Sequence, residues 1–402
     1  MSTVLGSQIK HPAETGGGAA VRPVRALFPL DPTLLLAVLG LVACSLVTLS
    51  AATHDDIPGD PNYYVYRQAG FAAAGLVFCL LLSRFDYSRL RELKYGLYGF
   101  MLGSILLVLA IGGATRGSKR WIDFPFFRFQ PSELGKLLLV LAISAFVVDR
   151  IRRLQERDTT ARVMLMALVP ALLVMLQPDL GSALVYVVIA LAVLFIAGTN
   201  WKHFAALFAL FAVSLSLVLV AAPAVGLHVL KPYQMDRLTA FLNPSDNPAD
   251  QGYQQNQSRI AIGSGEKTGR PHPTQTTLNF LPEHHTDFVF AVVGERYGFA
   301  GAALVLSLYA LLVWRGLRIL TMAKNLYGAL IAGGIVAMLL WQVFVNVGMT
   351  IGIMPITGVP LPLMSYGGSS VLVTFLAVGV LQSIYVQGRR AAKGRGRALV
   401  FG

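Results

Sequence analysis

The chain has 402 residues, of which 55% are hydrophobic and only 13% charged, and its mean hydropathy is +0.62. Soluble domains carry roughly 25% charged residues, so about half the usual solubilising surface is missing, which excludes a string of soluble domains, a disordered chain and a disulfide scaffold. Cys44 and Cys79 lie singly inside apolar runs and read as small buried hydrophobes rather than metal ligands or a disulfide framework.

A bilayer-spanning helix needs about 20 mostly apolar residues. Ten such stretches follow one another, near 32–52, 66–83, 95–113, 131–148, 163–177, 180–198, 204–225, 287–313, 327–351 and 367–386. The pattern predicts an all-α polytopic integral membrane protein: an N-terminal tail over 1–31, a ten-helix membrane domain over 32–388 and a basic tail over 389–402. The first 30 residues are polar and contain no apolar core of a signal peptide, so the first span is expected to act as its own insertion signal. Placing the N-terminus in the cytoplasm and alternating puts 21 of the 33 Lys and Arg residues on inner segments, which predicts cytoplasmic termini at both ends. The net charge of +13 is therefore distributed as topology determinants beside anionic lipid, and nucleic acid is not expected as a partner.

Two outer segments depart from that charge rule. The loop between spans three and four, Thr115-Arg116-Gly117-Ser118-Lys119-Arg120-Trp121, is basic, and a long segment over 226–286 between spans seven and eight carries Lys231, Arg237, Arg259, Lys267 and Arg270. Long loops in compact proteins are usually functional, so the chemistry is expected on the extracytoplasmic side.

Ionisable groups within or at the edge of a span tend to mark function. Span four opens Gln130-Pro131-Ser132-Glu133-Leu134-Gly135-Lys136, with Glu133 and Lys136 at i,i+3 on one helix face. They form either a self-neutralising pair or part of a polar cavity beneath Arg116, Lys119, Arg120 and Arg128, where a helix N-terminus adds partial positive charge suited to a phosphate or pyrophosphate. Asp179, in Gln177-Pro178-Asp179-Leu180-Gly181-Ser182, either caps the following helix or pairs with one of those cations. The densest polar cluster is Leu281-Pro282-Glu283-His284-His285-Thr286-Asp287-Phe288. Asp287 is the last acid before an apolar helix, either a cap or a carboxylate in the partly dry setting that suits a general base. Adjacent histidines rarely converge on one metal, so a zinc site from Glu283, His284 and His285 is not expected. Finally, the run from Gly358 to Ser370, which contains Ser365 and Ser369, interrupts the helical pattern with two prolines and three glycines. It is either a tight turn or non-helical backbone buried in protein beside a wet cavity.

These stretches together resemble the SEDS (shape, elongation, division, sporulation) family of peptidoglycan glycosyltransferases. The resemblance rests on Gly117–Ile122 with Arg128–Glu133, on Gln177–Ser182, on Arg237–Pro244, on Tyr253-Gln254 through Gly263-Ser264-Gly265, on Phe280–Phe290 and on Gly358–Ser370, in order across 32–388. Thr274–Leu278 and Pro355–Gly358 resemble the elongation branch of the family more than the division branch. Two departures stand out: Glu266-Lys267-Thr268-Gly269-Arg270 is charged where the family tends to be glycine-rich and apolar, and Asn279 stands where relatives often have an acid.

The resemblance implies lipid II as substrate, polymerised into nascent glycan outside the bacterial cytoplasmic (inner) membrane. Asp287 would be the catalytic base. Arg116, Lys119, Arg120, Arg128 and Lys136 would hold the pyrophosphate, with Trp121, Gln130, Ser132, Glu133, Asp179, Glu283, His285, Ser365 and Ser369 in support. A divalent cation, magnesium or manganese, is the cofactor such chemistry admits. The implied partners are a class B penicillin-binding protein transpeptidase, other elongation-complex proteins and membrane lipid. Pyrophosphate is already a good leaving group, so one base with cationic stabilisation suffices and a glycosidase-like carboxylate pair is not required. A lipid II flippase and a scaffold for the transpeptidase are the rival readings.

Overall fold

The computed structural model describes residues 30–53, 57–115, 118–124, 127–221, 223, 251–270 and 283–400. Its main helices are α1 (Pro32–Ala52), α2 (Tyr63–Arg84), α3 (Lys94–Ile111), α4 (Pro131–Asp149), α5 (Arg157–Leu176), α6 (Leu180–Ala197) and α7 (Trp201–Ser216). They continue with α8 (Gln251–Ser264), α9 (Val289–Met322), α10 (Leu326–Ile351) and α11 (Gly368–Val400). Ten of them, all but α8, are long and apolar enough to cross a membrane, as the hydropathy pattern predicts.

The helix ends follow from local chemistry. Asp31 accepts from the N–H groups of Thr33 and Leu34 ahead of Pro32, Asn200 does so for Lys202, and Asn325 for Gly328. Gly198 and Gly352 close α6 and α10 with φ of 86° and 85°, the left-handed conformation that glycine adopts without a steric penalty. Asp31 is fully buried, yet it is ion-paired to Arg315, and its backbone exchanges hydrogen bonds with Gln382, which fastens the start of α1 to α9 and α11.

Helices α4 and α11 form the centre, each 89% buried over its apolar window, and α10 packs beside them. α2 lies along α11 with very little between them: a Cβ on Gly379 would stand 2.9 Å from the Cα of Cys79, and one on Gly75 would stand 2.5 Å from the Phe375 ring. Small residues that let backbones approach are a characteristic of helix pairs in lipid, where apolar burial alone does not favour association. α7 is the opposite case. None of its residues is buried, and its described attachments lie near its start, where Thr160 Oγ1 sits 2.7 Å from His203 Nδ1 and Phe204 packs against Phe195.

Two stretches expected as loops have regular structure. The basic segment after α3 forms a small antiparallel sheet, β1 (Gly113–Thr115), β2 (Ser118–Asp123) and β3 (Arg128–Phe129), with Gly113 opposite Trp121 and Ile122 opposite Phe129. Within the long 226–286 segment, α8 packs on the end of α10, where Ser258 donates to the Thr350 carbonyl at 2.8 Å and Arg259 to that of Gly352 at 2.8 Å. A cation on the last carbonyls of a helix is the favourable electrostatic arrangement. α9 is interrupted at Gly298 (φ 61°, ψ −156°), a conformation essentially restricted to glycine. The N–H groups released by the break, those of Phe299 and Ala300, donate to the carbonyls of Glu266 and Lys267 at 2.9 and 3.1 Å.

Replacing Gly379 by valine forces α2 and α11 apart. Overpacking of this kind costs about 1–3 kcal/mol, so Gly379→Val should lower the thermal unfolding midpoint of the purified protein by several degrees, whereas a valine at open Gly103 should leave it unchanged.

Candidate active site

The segment between α10 and α11, residues 352–367, is non-helical apart from one turn in which the N–H groups of Met364 and Ser365 donate to the Leu361 carbonyl at 3.1 and 3.0 Å. Of the two readings open for it, buried non-helical backbone is the one observed: Val359, Leu361, Leu363, Met364 and Ser365 are all at most 1% exposed. Leu363 even holds a left-handed φ of 65°, which costs a bulky residue about 1–3 kcal/mol. Its two neighbours are gripped by side chains from the helices. The Tyr309 hydroxyl donates to the Pro362 carbonyl at 2.5 Å and the Ser45 hydroxyl to that of Met364 at 2.7 Å. Gln68 Nε2 donates to the Ser365 carbonyl at 3.1 Å.

One end of this segment holds the Asp287 turn. Glu283, at a left-handed φ of 56°, accepts from the N–H groups of Thr286, Asp287 and Phe288, and its carboxylate accepts from the Thr286 hydroxyl at 2.9 Å. The Ser365 hydroxyl donates to the Thr286 carbonyl at 2.5 Å and Tyr366 N–H to that of His285 at 2.9 Å. Asn346, fully buried in α10, donates through Nδ2 both to the Asp287 carbonyl (2.9 Å) and to the Val359 carbonyl (2.8 Å). The half-buried Asp287 carboxylate thus lies against Gly358, where an added Cβ would stand 3.4 Å from Oδ2. The cap position of α9 is taken by Phe288, one residue beyond Asp287.

The other candidates gather at the starts of α4 and α6. Glu133 and Lys136 form an ion pair at 2.6 Å with side chains 4% and 1% exposed, and burial this deep is tolerable only because each charge meets the other. Asp179 caps α6 by accepting from Ser182 N–H, and its second oxygen accepts from Gln130 Nε2, which also reaches Ser132 Oγ at 3.0 Å. The cap reading of Asp179 therefore holds, and Lys136 has Glu133 as its partner instead. Tyr186 donates to the Ser132 carbonyl at 3.0 Å. Ser369 bridges Gln130 N–H and the Arg128 carbonyl at 3.0 and 2.8 Å, so α11 starts on this cluster.

The basic candidates divide. Arg120 donates to the carbonyls of Gln177 and Pro178 beyond the end of α5, and Arg128 pairs with Asp123 at 3.0 Å on the exposed edge of the sheet. Trp121 stands next to Arg120 on β2. Arg116 lies outside the described residues, as does the side chain of Lys119. The two groups of candidates meet across Thr357–Val359: a Cβ on Gly181, two residues after Asp179, would stand 2.9 Å from the Thr357 carbonyl and 2.4 Å from Val359.

Asn346, Gln68, Ser45 and Tyr186 were not singled out by sequence reasoning. The signal was present for two of them, because an amide side chain in the middle of an apolar span has to find a hydrogen-bond partner there. Among the described residues no three His, Cys, Asp or Glu side chains converge as a metal site would require.

A bundle of ten apolar helices around a buried segment, with the Asp287 turn held on it, defines a multi-pass membrane protein. Residues 29–390 match the family described as cell cycle protein, the FtsW, RodA and SpoVE group, and the chain belongs to this SEDS family. It is 37% identical over 370 residues to peptidoglycan glycosyltransferase MrdB of Escherichia coli K12, covering 90% of this chain and 95% of that one. Proteins described as FtsW match at comparable identity. Among solved structures it resembles a chain of a peptidoglycan synthase complex that coordinates polymerization and crosslinking (TM-score 0.74, 33% identity, 90% and 98% of the two chains). It also resembles the rod shape determining protein RodA of Thermus thermophilus (TM-score 0.64, 31% identity, 89% and 97%).

Two outcomes test this architecture. Breaking one half of a buried ion pair costs about 3–5 kcal/mol, so Lys136→Met alone should destabilise strongly, and adding Glu133→Gln should recover most of the loss in a double-mutant thermal-unfolding cycle. Asn346→Leu removes two buried hydrogen bonds of about 1 kcal/mol each, and amide exchange over residues 283–288 should accelerate while α4 stays protected.

Proposed function

We propose that this chain is a peptidoglycan glycosyltransferase that polymerises lipid II into glycan strands on the extracytoplasmic face of the bacterial inner membrane, with both termini in the cytoplasm. The observation that carries the reading is the half-buried Asp287, its main-chain carbonyl held by Asn346 and its carboxylate beside Gly358. A base has to be held within hydrogen-bond reach of the proton it removes, and a backbone gripped from α10 supplies that rigidity.

In the proposed step Asp287 takes the proton from the 4-hydroxyl of the acceptor GlcNAc. That oxygen forms its bond to the anomeric carbon of the donor MurNAc from the face opposite the leaving group. The bond to pyrophosphate breaks, and undecaprenyl pyrophosphate departs with the electron pair, leaving an inverted linkage and a protonated Asp287 that returns its proton to water. The leaving group needs positive charge where negative charge develops. Lys119, Arg120 and Arg128 on the sheet, Arg116 in the same basic stretch of the sequence, the N-termini of α4 and α6 and Lys136 are the groups proposed for it, with Glu133 and Asp179 holding the arrangement. A divalent cation, magnesium or manganese, would supply further charge neutralisation to the pyrophosphate. A class B penicillin-binding protein is the proposed partner within an elongation complex, a reading supported by the likeness to a synthase-complex chain.

The test is polymerisation of labelled lipid II by the purified protein, with and without that transpeptidase. Loss of a general base lowers turnover by about a hundredfold to ten-thousandfold, so Asp287→Ala of wild-type stability should make almost no glycan. Wild-type rates from that variant would remove Asp287 from the mechanism, and lipid II translocation without glycan from either protein would identify a flippase.

A further inference from the structure

The Asp287 turn leads into a group of aromatic rings that the mechanism above does not use. The His285 ring lies 4.8 Å from Tyr64 at a 36° tilt and 5.9 Å from Tyr366, centroid to centroid. Tyr64 packs edge-on against Tyr366 at 4.9 Å and against Tyr63 at 5.3 Å. Arg67, one turn along α2 from Tyr63, sits 4.9 Å over the Tyr63 ring, donates to its hydroxyl and hydrogen-bonds the hydroxyl of Tyr366. Burial pushes the Tyr366 hydroxyl above its ordinary pKa, so it stays protonated and able to donate at neutral pH.

Two ordinary explanations for such a group fit poorly. The tyrosines that pack the core of this protein, Tyr87, Tyr186 and Tyr327, are at most 2% exposed, whereas Tyr63, Tyr64, Arg67, His285 and Tyr366 are each only half-buried. Tyrosines at a membrane interface point singly into lipid headgroups. Tyr66 is of that kind, 69% exposed, but the clustered rings pack on one another and on the catalytic turn instead. A pyranose ring has a face of C–H groups that carries partial positive charge and a rim of hydroxyls. The first packs on the electron-rich face of an aromatic ring, and the second seeks fixed polar groups such as a guanidinium or a phenol. Aromatic walls with a few placed polar groups are the usual composition of a ligand site.

We propose that Tyr63, Tyr64, His285 and Tyr366, with Arg67, form a saccharide platform that holds an amino sugar of the glycan beside the one presented to Asp287. The proposal rests on the glycosyl-transfer reading and deepens it. The distance between platform and base is fixed by two hydrogen bonds to the turn's carbonyls, Tyr366 N–H to that of His285 and the Ser365 hydroxyl to that of Thr286, so a sugar stacked on the rings places its neighbour at a set register.

The platform can be tested separately from catalysis with a soluble GlcNAc tetramer as probe and the full-length protein in nanodiscs free of sugar detergent. Saturation-transfer NMR should carry magnetisation from aromatic protons to the sugar C–H protons in wild type and in Asp287→Ala alike. Losing one ring–ligand contact is worth about a tenfold change in affinity. Tyr64→Leu should therefore weaken tetramer binding and raise the KM for lipid II by about that factor with kcat largely kept, and Tyr64→Phe should restore both. If Tyr64→Leu does not fold, Tyr63→Leu takes its place. No aromatic transfer in wild type, or a folded leucine variant with wild-type binding and KM, overturns the platform and leaves the Asp287 assignment standing. Sugar binding that persists while Asp287→Ala still polymerises keeps the platform and overturns the base.

Discussion

Backbone amides and carbonyls removed from water must be hydrogen-bonded, and inside a membrane protein a stretch without helical bonds is tolerated only where side chains or a wet cavity satisfy it. Residues 352–367 are the place where this protein meets that constraint. Tyr309, Ser45, Gln68, Asn346 and Ser365 each direct a polar group at the segment or at the turn it holds, and they come from α9, α1, α2, α10 and the segment itself. Five separate parts of the chain are therefore committed to a single crossing, and none of them can shift without stripping a carbonyl.

The catalytic proposal depends on this arrangement more than on any one charged residue. Thr357–Val359 lies between the capped start of α6 and the Asp287 turn, while Ser365 and Ser369, four residues apart where the segment enters α11, tie it to Thr286 and to Arg128 and Gln130. The groups proposed for acceptor and leaving-group chemistry thus share one scaffold. Gly181 is one means, since a methyl group there would collide with Thr357 and Val359, and Gly358 is the other, since its φ of 73° is a conformation that favours glycine.

The ten spans were legible because hydropathy is a local property, and the cap at Asp179 was one of the two uses its place before an apolar run left open. The Glu133–Lys136 pair followed from helical spacing alone. What composition and spacing did not disclose was partnership across the chain. Arg259 looks like a loop cation awaiting an anion but ends on the carbonyl of Gly352, and Arg120 ends on carbonyls at the α5–α6 turn. Asn346 is one amide in an apolar helix until the segment it grips, 13 residues away, is brought beside Asp287. The small sheet after α3 escaped notice because its strands are short, β3 being only 2 residues long, and its pairing is set by the turns between them.

The break in α9 has a consequence for which substitutions the chain can accept. Phe299 and Ala300 bond to the main chain of Glu266 and Lys267, not to their side chains, and Gly265 and Gly269 touch α9 backbone directly, where an added Cβ would come within 1.8 and 2.1 Å of the carbonyls of Gly294 and Arg296. The joint therefore reads only the path of the backbone. Side-chain chemistry at Glu266 and Lys267 is not what the joint selects, and a charged pair there leaves the helix that follows Asp287 undisturbed, provided that the glycines stay and that position 266 keeps a residue able to hold its left-handed φ of 48°.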